Sequence, residues 1–315
     1  LAEKLHKFGV FSILDYAIEG SEDQHSFADA LNEFKQNIEL CGSSEYIPMS
    51  VFKPSAIATS QNLLELNLKS EKELKSDDRY LKLSERFNQI FSSGREMNVP
   101  VMVDAEHSWY QDVIDLVTRD MMLKYNHTES MVYNTFQMYR KDRYDYLIEL
   151  HKWCKENNIK LGVKLVRGAY MEQERVRAVE NGYSSPIHET KAGTDKFYNL
   201  AIKYILENID DFSVVIATHN EQSCYYAMEL MEQENIPNND SRIWFSQLYG
   251  MCDHISYNMG EAGYNVAKYI PYGTVKSVIP YLTRRAEENS SISGQVAREI
   301  ALIKSELLRR KGQLR

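Results

Sequence analysis

The chain has 315 residues, 43% of them apolar and 26% charged, and a formal net charge of −8. That length and apolar content can bury a large core, as one barrel-sized domain or two smaller ones. The acidic balance, with a pI near 5.6, argues against a nucleic-acid binder, which gathers positive charge on one face. Four cysteines at 41, 154, 224 and 252 form no CxxC pair, which suggests reduced, buried thiols and neither a zinc knuckle nor a disulfide framework. No apolar run reaches the ~20 residues that span a bilayer, no signal or transit peptide is visible, and the start at Leu1 is compatible with a leader already removed.

Short β-rich runs alternate with long helical patterns from end to end. The predicted strands are Val10–Tyr16, Tyr46–Phe52, Val99–Asp104, Met131–Gln137, Leu161–Val166, Ser213–Thr218, Ile243–Leu248 and Val266–Ile270, eight in all. Between them, Arg143–Glu156 and Asp195–Glu207 carry apolar residues at helical spacing, while the charged stretch Ser70–Ser84 reads as solvated helix and loop. Repeated strand–helix alternation predicts one (β/α)8 barrel domain over residues 1–315 in preference to a doubly wound sheet. A dinucleotide fold would also want G-x-G-x-x-G after an early strand, and none of the 14 glycines forms it.

Barrel chemistry sits where strands end, at the C-terminal mouth. The predicted exits carry Lys53, Asp104, Gln137, Arg167 to Tyr170, Thr218 to Asn220, Gln247 to Gly250 and Tyr269 to Gly273, polar and aromatic groups above mainly apolar strand bodies. In the fifth strand, KLVRGAYM, period-2 alternation puts Lys164, Val166, Gly168 and Tyr170 on one side. A cation, a bare backbone position and an aromatic ring in a row suit a flat ligand lying against Gly168. Equally, Gly168 ends the strand and Tyr170 packs under a loop; Lys164 also has the chemistry of a Schiff-base nucleophile. His219, in ATHN, is either a hydrogen-bonded structural group or a catalyst. Asp104, Glu106 and His107 have metal-binding types, but no second cluster completes a site, so no metal is expected. Lys53 and Asp104 are placed to form an ion pair across neighbouring strand ends. Further on, PYLTRRAEENSS (280–291) reads as a helix with Tyr281, Arg284, Arg285 and Glu288 within a turn of one another, either a carboxylate- or phosphate-gripping face or a plain surface helix. The terminal run Ile300–Arg315 is a basic amphipathic helix, solvated or in peripheral contact with anionic lipid.

KLVRGAY with MEQERVRA, then ATHN, FSQLYGMCD, KYIPYG and YLTRRAEENSS, in this order and spacing from about Phe52 to Ser291, resemble the proline dehydrogenase flavoenzymes of the stand-alone type. The resemblance implies a distorted (β/α)8 barrel whose last helix lies over the mouth. It implies FAD as cofactor and oxidation of L-proline to Δ1-pyrroline-5-carboxylate by hydride transfer to the flavin N5, with electrons passing to a membrane quinone. By the same similarity Arg284, Arg285 and Lys53 hold the proline carboxylate, Asp104 orients them, and Tyr170, Leu248, Tyr269 and Tyr281 wall in the ring. FAD is held by Gln137, Lys164, Val166, Gly168, Lys191, Thr218, His219 and Glu288. Relatives acting on hydroxyproline carry a smaller residue at the position of Tyr269, which favours proline here. The implied location is the matrix side of the mitochondrial inner membrane, or the bacterial cytoplasm and inner-membrane periphery. The alternatives are a hydroxyproline dehydrogenase of the same family, a Schiff-base aldolase barrel using Lys164 or Lys191, and a degenerate barrel kept as a binding module.

Overall fold

Eight strands of the computed structural model close into one all-parallel barrel in sequence order: β1 (Val10–Tyr16), β2 (Ser50–Phe52), β3 (Val101–Val103), β4 (Val132–Gln137), β5 (Leu161–Val166), β6 (Phe212–Ala217), β7 (Ile243–Leu248) and β8 (Val266–Tyr272). The structure describes residues 1–17, 24–275, 278–279, 282–283 and 295–313. Tyr281, Arg284, Arg285 and Glu288, and with them the expected last helix over the mouth, lie outside the described residues.

The described helices are α1 (Ala2–His6) before β1 and α2 (Gln24–Gly42) after it, α3 (Ser60–Asn67), α4 (Glu71–Leu74) and α5 (Asp78–Met97) between β2 and β3, and α6 (Ser108–Tyr125) after β3. They continue with α7 (Arg143–Glu156) after β4, α8 (Met171–Glu180) and α9 (Lys191–Glu207) between β5 and β6, α10 (Glu221–Gln233) after β6, α11 (Asp253–Glu261) after β7, and α12 (Gln295–Gln313). Ser70–Ser84 thus holds α4 and the start of α5, as its charge pattern suggests. The terminal helix exposes Ile300, Leu307 and Leu308.

Three predicted strands differ at their ends for identifiable reasons. The Tyr46–Phe52 and Val99–Asp104 runs shrink to β2 and β3 because Pro48 and Pro100 have no N–H to donate to a ladder; Pro100 contributes only its carbonyl, which accepts from Ser50 N at 3.0 Å. In the other direction, β8 continues past Ile270 because β1 runs beside it through Asp15↔Pro271 and Tyr16↔Tyr272. The sixth strand begins and ends one residue earlier than predicted, and the fourth begins one residue later, at Val132.

Parallel barrel strands bury both faces, so each reads as a nearly continuous apolar run. Their outer faces pack against the helices, as where Phe52 meets Phe34 and Phe87 with ring centroids 5.6 and 5.0 Å apart. Their inner faces form a second cluster that includes Ile13, Met49, Val51, Met102, Tyr133, Val215 and Ala267. Each fully buried side chain of this size contributes about 1.5–3 kcal/mol. The N-terminal end of the barrel is plugged by aromatic rings, with Phe11 edge-on to His6 at 4.8 Å and to Trp244 at 5.1 Å.

Candidate active site

The inward register of β1 runs Phe11, Ile13, Asp15, because side chains on one face of a strand are two residues apart. The apolar plug therefore gives way to a carboxylate near the strand exit. Asp15 is completely buried, and both its oxygens accept from Lys53 Nζ, at 2.6 and 2.8 Å. Lys53, one residue past β2, reaches on to Asp104 Oδ2 at 3.1 Å. Asp104, one residue past β3, accepts from Lys164 Nζ at 2.5 Å and from the Tyr269 hydroxyl at 2.9 Å. The Lys164 ammonium also lies 4.5 Å from the centre of the Tyr269 ring, within cation–π range. Five exits, from β1, β2, β3, β5 and β8, thus meet in one chain of alternating charge.

Burial alone would push the Asp104 carboxyl up, but Lys164 and Lys53, through charge and hydrogen bonds, outweigh it and hold the group below the usual carboxylate range. Asp15 goes the other way. Its burial, helped by the negative charge of Asp104, raises it despite the opposing pull of Lys53. Two carboxylates that share one lysine are thereby made unequal.

A second network braces the β3, β4 and β5 exits. Gln137 is buried at the end of β4; its Nε2 donates to Glu106 O at 2.7 Å and its Oε1 accepts from Ala169 N at 3.1 Å. Glu106 accepts from Ser55 N at 3.0 Å and lies 3.5 Å from the Tyr170 hydroxyl. His107 stacks on Trp109 at 4.2 Å and also meets Tyr170. Tyr170 is thus shared by Glu106 and His107, while Asp104 turns to the lysines.

The third network joins β5, β6 and β7. Arg167 Nε donates to Asp195 at 2.7 Å, Nη1 to Thr218 Oγ1 at 2.5 Å and Nη2 to Ser223 Oγ at 3.0 Å, with the guanidinium over the Tyr198 ring. Leu248 N donates to His219 Nε2 at 2.9 Å, which leaves the ring proton of a neutral imidazole on Nδ1. Asn220 caps α10 by accepting from Ser223 N at 3.1 Å.

The proline dehydrogenase family model matches residues 1–298. The chain belongs to the proline dehydrogenase family. It is 42% identical over 238 residues to human mitochondrial proline dehydrogenase 1, covering 73% of this chain and 39% of that protein. It is 35% identical over 306 residues to the carbapenem antibiotics biosynthesis protein CarD of Pectobacterium carotovorum subsp. carotovorum, covering 97% and 79%. The fold matches the proline utilization A protein of Bdellovibrio bacteriovorus, crystallised after inactivation by N-propargylglycine, with a TM-score of 0.81 and 23% identity over 93% of this chain and 31% of that one. The chain thus spans well under half of the human protein's length.

Within this member of the family, the structure brings Lys53, Asp104, Lys164 and Tyr269 into direct contact, and Leu248 and Tyr269 share the inner apolar cluster. Gln137 and Tyr170 are tied to one another through Glu106 at the neighbouring exits, and Thr218 and His219 sit at the next exit. Lys191 stands apart at the start of α9, half-exposed, with its Nζ 2.6 Å from Asp195 Oδ2; among the described residues it is linked to the site through Asp195 and Arg167. Gly168 acquires a reason the sequence did not supply. Its φ is +140°, and a Cβ there would meet the Tyr139 ring at 2.4 Å, so the position has no room for a side chain. Sequence reasoning missed Tyr139 and Asp15 altogether.

Proposed function

We propose that the chain is an FAD-dependent proline dehydrogenase, which oxidises L-proline to Δ1-pyrroline-5-carboxylate and passes the electrons to a membrane quinone. The observation that carries this reading is the Asp104 cluster: in a member of this family, two ammoniums and a phenol converge on one carboxylate at the barrel mouth. Ammonium groups held in place in a largely desolvated site suit the carboxylate of a small amino acid.

In this reading Lys53, with Arg284 and Arg285, binds the proline carboxylate, and Asp104 sets where the Lys53 and Lys164 ammoniums stand. Tyr170, Leu248 and Tyr269, each 8% exposed, exclude water beside the ring, with Tyr281 as a further wall. Loss of hydrogen from the ring carbon next to nitrogen needs the amine unprotonated, and a site that fixes the carboxylate end holds that carbon in one orientation. The fixed bulk of Tyr269, tied to Asp104 by its hydroxyl, supports proline over a 4-hydroxylated ring.

The residues present fit a flavin by their donor chemistry. Along the exits of β4 to β6 stand the Lys164 cation, the Thr218 hydroxyl, which accepts from Arg167 and Asn220 N, and the His219 imidazole. Gln137, Val166, Gly168, Lys191 and Glu288 complete the proposed FAD set. FAD, when bound, supplies the two-electron acceptor that amine oxidation needs. A Schiff-base reading is poorly supported, because Lys164 is held as a paired cation against Asp104 and Tyr269, where a nucleophile needs a free amine. Among the described residues no helix is long and apolar enough to cross a membrane. The proposed meeting place with quinone is a mitochondrial or bacterial inner membrane.

The test is the visible spectrum of purified protein before and after anaerobic L-proline. Flavin bands that bleach with L-proline and hardly with trans-4-hydroxyproline are expected. Bleaching by hydroxyproline alone would overturn the substrate, and absence of flavin after reconstitution would overturn the activity.

A further inference from the structure

We infer that Asp15 is a positioning residue of the proline site, which fixes the Lys53 ammonium in place, and in its charged form, where the substrate carboxylate arrives. This rests on the function proposed above.

Asp15 is the innermost member of the chain, with no exposed surface and two short contacts to Lys53 Nζ. With the contact to Asp104, Lys53 Nζ is held at three carboxylate oxygens of the described residues. A lysine so held does not swing freely toward a substrate. The contact that yields is the longest, 3.1 Å to Asp104, because Asp104 keeps Lys164 and Tyr269 as partners when Lys53 turns one proton to the incoming carboxylate. Asp15 then remains behind Lys53 as its fixed counter-charge. The charges of the four groups Asp15, Lys53, Asp104 and Lys164 sum to zero, and loss of the Asp15 charge shifts that sum to +1. Stability alone would not call for this arrangement, since well-packed apolar side chains commonly serve as well as a buried ion pair.

The groups facing Asp15 are Lys53 from β2, Asp104 from beyond β3 and Lys164 from β5, with Tyr269 of β8 bonded to Asp104. On the helix side Tyr272, bonded to Glu33 at 3.0 Å, also senses its charge. Loss of the Asp15 charge therefore acts first on Lys53, which would give up its proton at lower pH than in the wild type.

The probe is cyclopentanecarboxylate, which has the ring and carboxylate of proline without the amine, titrated into the flavin-loaded protein and followed by the flavin difference spectrum. In Asp15→Asn, probe affinity is expected to fall about tenfold or more, the scale of one lost charged hydrogen bond. KM for L-proline should rise more than kcat falls, and the basic limb of the kcat/KM profile should move to lower pH. Asp15→Glu restores the charge and should restore the pH profile while leaving affinity reduced. In a Lys53→Met background, Asp15→Asn should add no further loss of probe binding. A folded Asp15→Asn protein with wild-type affinity and pH profile overturns the inference. So does tighter probe binding, the result if Asp15 merely competes with substrate for Lys53. Should Asp15→Asn fail to fold, Asp15→Glu decides, and unchanged probe affinity there overturns the inference. Wild-type protein that L-proline does not bleach defeats the functional reading itself, a result distinct from wild type and variant both bleaching alike.

Discussion

The two ends of the barrel interior are built by the same strands and do opposite things. At the N-terminal end the inward positions are Phe11, Met49, Met102 and Trp244, a dry plug of rings and thioethers. A few residues on, those inward registers reach Asp15, Lys53 and Asp104, and the interior becomes a chain of charges. β8 makes the same change from Ala267 to Tyr269. One stretch of a strand thus serves the fold and the next serves chemistry, and the boundary is crossed in a step of two to four residues. Placing the charges at the strand ends lets them keep one side toward the mouth while the plug keeps water away from the other.

Substitutions at the two ends should separate these roles. The largest effect is expected from Asp104→Asn, which leaves Lys53 and Lys164 without their shared carboxylate. It should cost about 3–5 kcal/mol in urea unfolding and about a hundredfold in kcat/KM for proline, since the carboxylate-binding groups lose their placement. Met49→Ala, in the plug, should cost about 2–5 kcal/mol yet leave KM for proline within twofold in the folded protein; a large rise in KM would break the division. Gly168→Ala forces a Cβ onto the Tyr139 ring at a positive φ and should cost about 1–3 kcal/mol, with reduced flavin content on purification as the second readout. Tyr269→Phe removes one of three donors to Asp104 and should cost about 1 kcal/mol of stability, while opening the site to trans-4-hydroxyproline only slightly, because the ring remains. The smallest effect is in pH dependence. Asp104 titrates below its ordinary value of 3.8, so its ion pairs stabilise the protein above that value, and their contribution is lost as pH falls through it and below. Stability should accordingly fall less steeply between about pH 5 and 3 in Asp104→Asn than in the wild type.

The alternation of apolar runs and helical patterns made the barrel legible, since eight strand–helix repeats leave few other architectures. Strand exits then pointed to Lys53, Asp104, Lys164 and Tyr269 without any contact being known. Asp15 escaped because a strand buried on both faces shows no polar–apolar alternation, so VFSILDY alone does not say which face looks inward. The role of Gly168 escaped because Tyr139, which fills the space beside it, comes from another strand exit. Pro48 and Pro100 were visible in the sequence, and their missing N–H groups could have shortened the second and third strands.

β1 is registered with β8 over seven residue pairs, from Val10↔Val266 to Tyr16↔Tyr272, but with β2 at a single pair, Asp15↔Val51. The firm side of β1 therefore depends on a strand some 250 residues away, the most distant partner the barrel offers. During synthesis β1 must wait for nearly the whole chain before it finds that partner, and such long-range pairing is slow to form. Until then Asp15 has no sealed interior around it, and Asp104 lacks the Tyr269 hydroxyl. The charge chain at the mouth is thus among the last features to be completed, and a ribosome-bound chain stalled before β8 would expose Phe11 and Ile13, the apolar face that a chaperone would be expected to cover.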